Sequence, residues 1–333
     1  MHHALWWIFL SLTTTFFSEG PMVPTPESVG ATLRSSSATS STTNEASAAF
    51  SLAYKGEITS ARVNLVTALP GDSVAFDVLG SAPSGNFTLT AERGTVTPSG
   101  TGGWWWHAPS TPGLSRIVAR AGGIADSVIF NAFVMVRSEH VQNGALNGYH
   151  IGEYPARPLR GLDIYLPPPG YIEVTPENEN TLISPHFRLR EFVTKQAGGY
   201  PKYVVLTERL IHKLEYLLNQ LSARGMAASF FVMSGYRTPS YNRAIGNVQY
   251  SRHVYGAAAD IFVDENPRDG VMDDLNGDNK IDVQDAQVLV DIVNEQIGKE
   301  EYLNYIGGLG RYKANAHHGP FVHIDVRDRP ARW

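Results

Sequence analysis

No cysteine occurs among the 333 residues. That one absence excludes disulfides, thiol nucleophiles, cysteine-ligated zinc and a lipid-modified N-terminal cysteine, so any metal site must be built from His, Asp and Glu. Charge is modest: charged residues are 18% of the chain, and 27 Lys and Arg stand against 32 Asp and Glu. The basic residues are scattered, which gives neither the basic patch of a nucleic-acid binder nor a polybasic membrane arm. Nucleic acid is therefore not an expected partner. Long apolar runs are also lacking, with one exception, Ala4 to Phe17 (ALWWIFLSLTTTFF). It falls short of the roughly 20 residues of a comfortable membrane span and resembles the apolar core of a secretory signal. His2 and His3 stand where Lys or Arg is usual, and Pro21 follows Gly20. The expectation is a signal-like segment over 1–20 and a secreted, periplasmic or cell-envelope location. A membrane tether is expected only through this N-terminus.

The length and the 43% of hydrophobic residues allow about two domains. Ser35 to Ser47 (SSSATSSTTNEAS) is nearly free of large apolar groups and cannot offset chain entropy by burial, so 21–48 reads as a flexible tether. From 49 to 138 short runs such as SVAFDVLG, FTLTAE and DSVIFNAFVMV alternate or are β-branched, with turn residues between them. They predict an all-β immunoglobulin-like sandwich. Trp104, Trp105 and Trp106 share one of its strands, where alternation turns the middle ring away from its neighbours. A division between core and surface fits them better than a three-ring ligand platform. Residues 139–183 are poor in periodicity, contain Pro167, Pro168 and Pro169, and read as a linker that wraps or spaces the domains.

The remainder, 184–333, mixes helix and strand, an α+β pattern. Leu210, Ile211, Leu214, Leu217, Leu218 and Leu221 predict an amphipathic helix within Thr207 to Arg224, stopped by Gly225. Ala228 to Met233 reads as a buried strand, followed by the polar stretch SGYRTPSYNRAIGN, the kind of loop where sites tend to sit. His253 and Asp260 lie seven residues apart in SRHVYGAAAD, roughly 10 Å along a helix axis. Ligand atoms on one zinc lie about 3 to 3.5 Å apart, so a shared metal requires the chain to turn between them, near Gly256. Asp260 then opens the strand-like Ile261-Phe262-Val263, and in FVHIDVR the side chains of His323 and Asp325 share one strand face. Spacing alone does not single these residues out from ordinary core or surface histidines.

Together, SPHFRLREF, SGYRTPSYN, SRHVYGAAAD, GGLGRY and FVHIDVR with the closing ARW resemble the zinc D-Ala-D-Ala carboxypeptidase family, whose fold is shared with hedgehog-type relatives. The resemblance covers 184–333 and leaves the sandwich and the tether outside. It implies zinc held by His253, Asp260 and His323, with a fourth position open for chemistry. It implies that Arg237 binds substrate and supports a developing oxyanion, and that Ser251 helps to hold the substrate's terminal carboxylate. Family members place a Glu or second His two or three residues before the last ligand as proton acceptor; here Pro320 and Phe321 stand there. His317 and His318 lie slightly upstream, and His318 and Asp325 are the candidates for that role. Asp325 could equally orient His323 from behind.

A second motif interrupts this domain. Asp274, Asn276, Asp278, Asp282 and Asp285 occupy positions 1, 3, 5, 9 and 12 of DLNGDNKIDVQD, with Lys280 able to offer its carbonyl. Hard oxygen donors at this register wrap Ca²⁺, and the run looks like the loop of dockerin and EF-hand modules. Asn279 stands where Gly is usual, and Asp285 where an EF-hand carries Glu. The expectation is an insertion, 266–298, pinned by structural calcium.

The leading functional expectation is an exported zinc metallopeptidase acting on bacterial cell-wall peptides next to D-alanine, as carboxypeptidase or endopeptidase. The alternative is a catalytically silent, zinc-containing module that binds wall peptide or a partner. A scaffold docking through its calcium loop is a weaker alternative, because such modules usually carry two loops.

Overall fold

The computed structural model describes residues 46–79, 86–100, 102–123 and 125–333. The signal-like segment and nearly all of the tether lie outside them. Nine strands form the N-terminal part: β1 (Ser47–Tyr54), β2 (Glu57–Ala61), β3 (Val63–Ala68), β4 (Ser73–Leu79), β5 (Phe87–Ala91), β6 (Thr95–Pro98), β7 (Trp104–His107), β8 (Gly113–Ala121) and β9 (Asp126–Val134). They make a five-stranded sheet in the order β2-β1-β4-β7-β6 and a four-stranded sheet in the order β3-β9-β8-β5. Alternate residues of both sheets, among them Leu52, Val66, Phe76, Ile117 and Phe130, meet in one apolar cluster. The tryptophans divide by the same alternation. Trp106 is buried with its Nε1 donating to the Arg93 carbonyl oxygen at 2.9 Å, and Trp105 is exposed.

Residues 139–183 do more than link. The pairs β11 (Ala145–Leu146) and β12 (Tyr149–His150) form a small hairpin, and β13 (Gly170–Val174) lies between β10 (Val136–Arg137) and β14 (Lys202–Val204). Leu146, Ile151, Ile172 and Ile183 join the large C-terminal core. Each run is too short to show a period, and for that reason the sequence pattern reads as irregular.

Helix α1 (Glu208–Ser222) buries all six apolar residues of its expected stripe. At about 1.5–3 kcal/mol for each fully buried side chain, this packing outweighs intrinsic propensity in holding the helix. Its first residue also meets the N-terminal sheets. Glu208 Oε1 accepts from Thr67 N and Thr67 Oγ1, each at 2.8 Å, and pairs with Lys55. Nearby, Tyr54 Oη lies 2.8 Å from His212 Nε2, and Arg209 pairs with Glu57 at 3.4 Å.

The site is carried by a second five-stranded sheet, β15-β16-β18-β17-β19, made of β15 (Phe231–Ser234), β16 (Ala258–Phe262), β17 (Gly308–Tyr312), β18 (Phe321–Asp325) and β19 (Ala331–Arg332). Strand β16 starts two residues before Asp260, so the aspartate sits within it and does not open it. Helix α2 (Pro239–Ala244) follows the SGYRT loop, and α3 (Val283–Asn294) follows the acidic loop, burying Ala286, Leu289, Ile292 and Val293. No helix among the described residues is long and apolar enough to cross a membrane.

Candidate metal centre

The chain turns between His253 and Asp260 as a shared metal requires. Residues Arg252–Tyr255 form a single 3-10 turn, ended by Gly256 at φ +64°. A Cβ on Gly256 would lie 2.2 Å from the Val205 carbonyl oxygen, so both the backbone angle and the close approach call for glycine. The chain then enters β16, where Asp260 stands directly opposite His323 on β18.

Three atoms converge. His253 Nε2 lies 3.1 Å from Asp260 Oδ1 and 3.1 Å from His323 Nδ1, and His323 Nδ1 lies 2.9 Å from Asp260 Oδ1. Ligands about 2.0–2.1 Å from a tetrahedral zinc are spaced about 3.3 Å apart, close to these separations. Among the described residues this is the one group of three or more His, Asp or Glu side chains whose ligand atoms come within 4.8 Å of one another.

The partners behind the trio decide where its protons sit. His253 Nδ1 is 2.7 Å from the Gly235 carbonyl oxygen, which can only accept, so Nδ1 holds the proton and the Nε2 lone pair faces inward. His323 Nε2 is 3.2 Å from Asp325 Oδ2, which likewise turns the Nδ1 lone pair inward. Burial opposes ionisation of Asp260, but His253 and His323 hold its carboxyl well below the usual range. Burial pushes the His253 imidazole down, toward the neutral form that ligates metal. At His323 burial is outweighed by hydrogen bonds to Asp260 and Asp325, which push its pKa up. Two lone pairs and a carboxylate oxygen pointing at one another favour a cation between them, and the donor set of two imidazoles and one carboxylate fits zinc.

Arg237 lies beside this cluster. Its Nη2 donates to Asp260 Oδ2, its Nε donates to Ser234 Oγ at 2.8 Å, and its amide donates to the His253 carbonyl oxygen at 3.2 Å. The guanidinium therefore braces the non-converging oxygen of a candidate ligand. Ser251 is buried at the start of the 3-10 turn and lines the same cleft, about 1240 Å³ in volume. His318 also lines it, but both of its ring nitrogens are engaged: Nδ1 lies 2.7 Å from the Gly319 carbonyl oxygen and Nε2 2.8 Å from Asn315 Nδ2. Asp325 is fully buried behind His323, where it accepts from the Gly308 amide at 2.7 Å and from Arg327. That is the geometry of an orienting group.

Trp333, the last residue of ARW, has no role assigned by the sequence pattern, yet it lines the cleft. Its ring lies 5.1 Å from that of His323, with the Arg327 guanidinium 5.0 Å from its centroid. The available signal was GGLG, which runs into β17: a Cβ on Gly310 would lie 2.5 Å from the indole nitrogen.

The acidic loop is placed differently from the histidine cluster. Its oxygens serve its own backbone: Asp274 accepts from the amides of Gly277, Asp278 and Asn279, Asp278 from Lys280, and Asp282 from Gln284. Asp285 is fully buried and accepts from the amides of Leu275 and Asp282.

Residues 185–280 match the Peptidase M15 family model. The matched stretch contains Arg237, Ser251, His253 and Asp260 and ends before His323. It supports a zinc-dependent M15 peptidase, and this family acts on cell-wall peptides. No curated protein and no solved structure matches the chain.

Proposed function

We propose that the protein is an exported zinc peptidase that hydrolyses bonds next to D-alanine in bacterial cell-wall peptides, with His253, Asp260 and His323 as the zinc ligands. The observation that carries this reading is the convergence of two imidazole lone pairs and one carboxylate oxygen at 2.9–3.1 Å. Zinc bound there would supply Lewis acidity, polarising a carbonyl and making water acidic enough to attack near neutral pH. The chain's own residues do the rest. Asp325 fixes the His323 ring through Nε2, the Gly235 carbonyl fixes His253, and Arg237 holds Asp260 while presenting its charge to the cleft. Ser251 lines the cleft beside them and is positioned to contact substrate. The test is metal analysis of the purified chain with an assay for D-alanine release from wall peptides. A zinc-loaded chain that leaves these peptides intact refutes the peptidase reading.

A second reading, a zinc-containing module that binds wall peptide without cutting it, is favoured by one observation. The residues nearest to a proton acceptor are Asp325, buried behind a candidate ligand, and His318, with both nitrogens engaged. Structural calcium in the loop 274–285, with Asp274, Asn276, Asp278, Lys280, Asp282 and Asp285 as its donors, belongs to the same proposal. Its support is the spacing of the oxygen side chains and Asn279 at φ +61°, which supplies the left-handed turn usually given by glycine. The N-terminal sheets are proposed as an immunoglobulin-type accessory module.

A further inference from the structure

Four cationic side chains other than histidine line the metal cleft: Lys195, Arg237, Arg252 and Arg327. Three are committed within the chain. Arg237 is held by Asp260 and Ser234, and Arg327 forks onto Asp325. Arg252 is buried, donates to the Ile164 carbonyl oxygen, and lies 5.1 and 5.3 Å from the ring centroids of Tyr165 and Tyr255. Lys195 differs from them. Among the described residues its ammonium has neither a carboxylate nor a hydrogen-bond acceptor as partner.

The backbone that carries Lys195 is nevertheless fixed on both sides. Thr194 Oγ1 donates to the Tyr236 carbonyl oxygen at 3.0 Å and accepts from the Thr238 amide at 3.2 Å. Gln196 Oε1 accepts from Thr238 Oγ1 at 2.6 Å, and its Nε2 donates to the His150 carbonyl oxygen at 3.0 Å. The two neighbours thus clamp onto the loop that carries Arg237, and Lys195 projects between them into the cleft. Desolvation and then the Arg237 charge push its pKa down, while Asp260 pulls it up, which places the ammonium in the field of the metal trio. Lys195 is exposed at the cleft beside the Arg237 charge, and Asp260 is already engaged by Arg237 and the two histidines, so the ammonium has no ion-pair partner of its own. It gains on meeting an anion from outside.

We propose that Lys195 is the specificity-determining residue that seats the terminal carboxylate of the substrate, so that the cleft prefers peptides with a free C-terminus over internal bonds. The inference rests on the peptidase reading and deepens it. It adds a charged partner to Ser251, which lines the same cleft, and leaves Arg237 to brace Asp260.

The test uses the full chain loaded with zinc and two acetylated L-Lys-D-Ala-D-Ala peptides, one ending in the free acid and one in the carboxamide. The readout is the ratio of kcat/KM for acid over amide. In Lys195→Met the ratio is expected to fall about tenfold, the scale of one charged hydrogen bond, with the loss in KM and not in kcat. Lys195→Arg should restore most of it. An equal loss on both peptides, an unchanged ratio, or a Met variant that loses zinc or its fold overturns the proposal. If the zinc-loaded wild type cuts neither peptide, the peptidase reading fails, and calorimetric binding of the same pair then decides about Lys195. A preference for the acid that disappears in the Met variant supports the seat; no preference in the wild type removes it.

Discussion

Asp260 and His323 face each other as a Cα pair across the antiparallel strands β16 and β18, with Asp260 Oδ1 2.9 Å from His323 Nδ1. The strand register therefore sets two of the three candidate ligands without help from any loop. Only His253 depends on a turn.

Replacing His253 by Ala removes the ligand on the turn and leaves the strand pair intact. Zinc is expected to fall from about one per chain to a small fraction, with far-UV circular dichroism unchanged. Full zinc retention would refute the ligand assignment.

Arg237→Ala leaves Asp260 Oδ2 without its guanidinium partner. Zinc affinity, measured by competition with a chelator, should weaken by about 10- to 100-fold, the usual cost of losing a group that orients a ligand. Hydrolysis should fall further at saturating zinc, by roughly 2 to 4 kcal/mol of transition-state stabilisation if the guanidinium also supports the oxyanion. Unaltered affinity would mean that Asp260 needs no brace.

Calcium is tested by stability. If the loop 274–285 binds it, calcium at a hundredfold excess over the dissociation constant should stabilise the chain by about 2.7 kcal/mol, and Asp278→Ala should need more calcium for the same gain. Zinc content should not change. A thermal midpoint insensitive to calcium would leave the loop as a self-bonded turn.

Lys213 gives a pH dependence. It is buried on α1, donates to the Asp325 carbonyl oxygen at 2.8 Å, and burial pushes its pKa down to about 7. An unfolded lysine keeps its proton up to about pH 10.4. Between pH 7 and 10 the unfolded chain thus binds more protons than the folded one, and stability rises with pH, by at most about 1.4 kcal/mol per unit from this group. Denaturant titrations at pH 7, 8 and 9 should show that slope in the wild type and a flatter one in Lys213→Met. Equal slopes would assign the effect elsewhere.

Much of this arrangement was legible before the fold. The helical stripe of α1 is a repeated signal over fifteen residues, and the turn near Gly256 follows from ligand spacing once His253 and Asp260 are taken to share a metal. Side-chain direction was not legible. That Arg237 bends back onto Asp260, and that Asp325 sits behind His323, depends on which strands pair, and pairing is a non-local property. Residues 139–183 hid for a related reason: β13 pairs with strands on both sides of it in sequence, more than 25 residues away in each direction, and is too short to show a period of its own.

The contact of buried Glu208 with Thr67 and Lys55 has a mechanical consequence. The first turn of α1 and strand β3 share one carboxylate, so the N-terminal sheets are pinned to the part that carries the candidate metal centre. Any grip those sheets take on a surface would therefore set the heading of the cleft as well as its address.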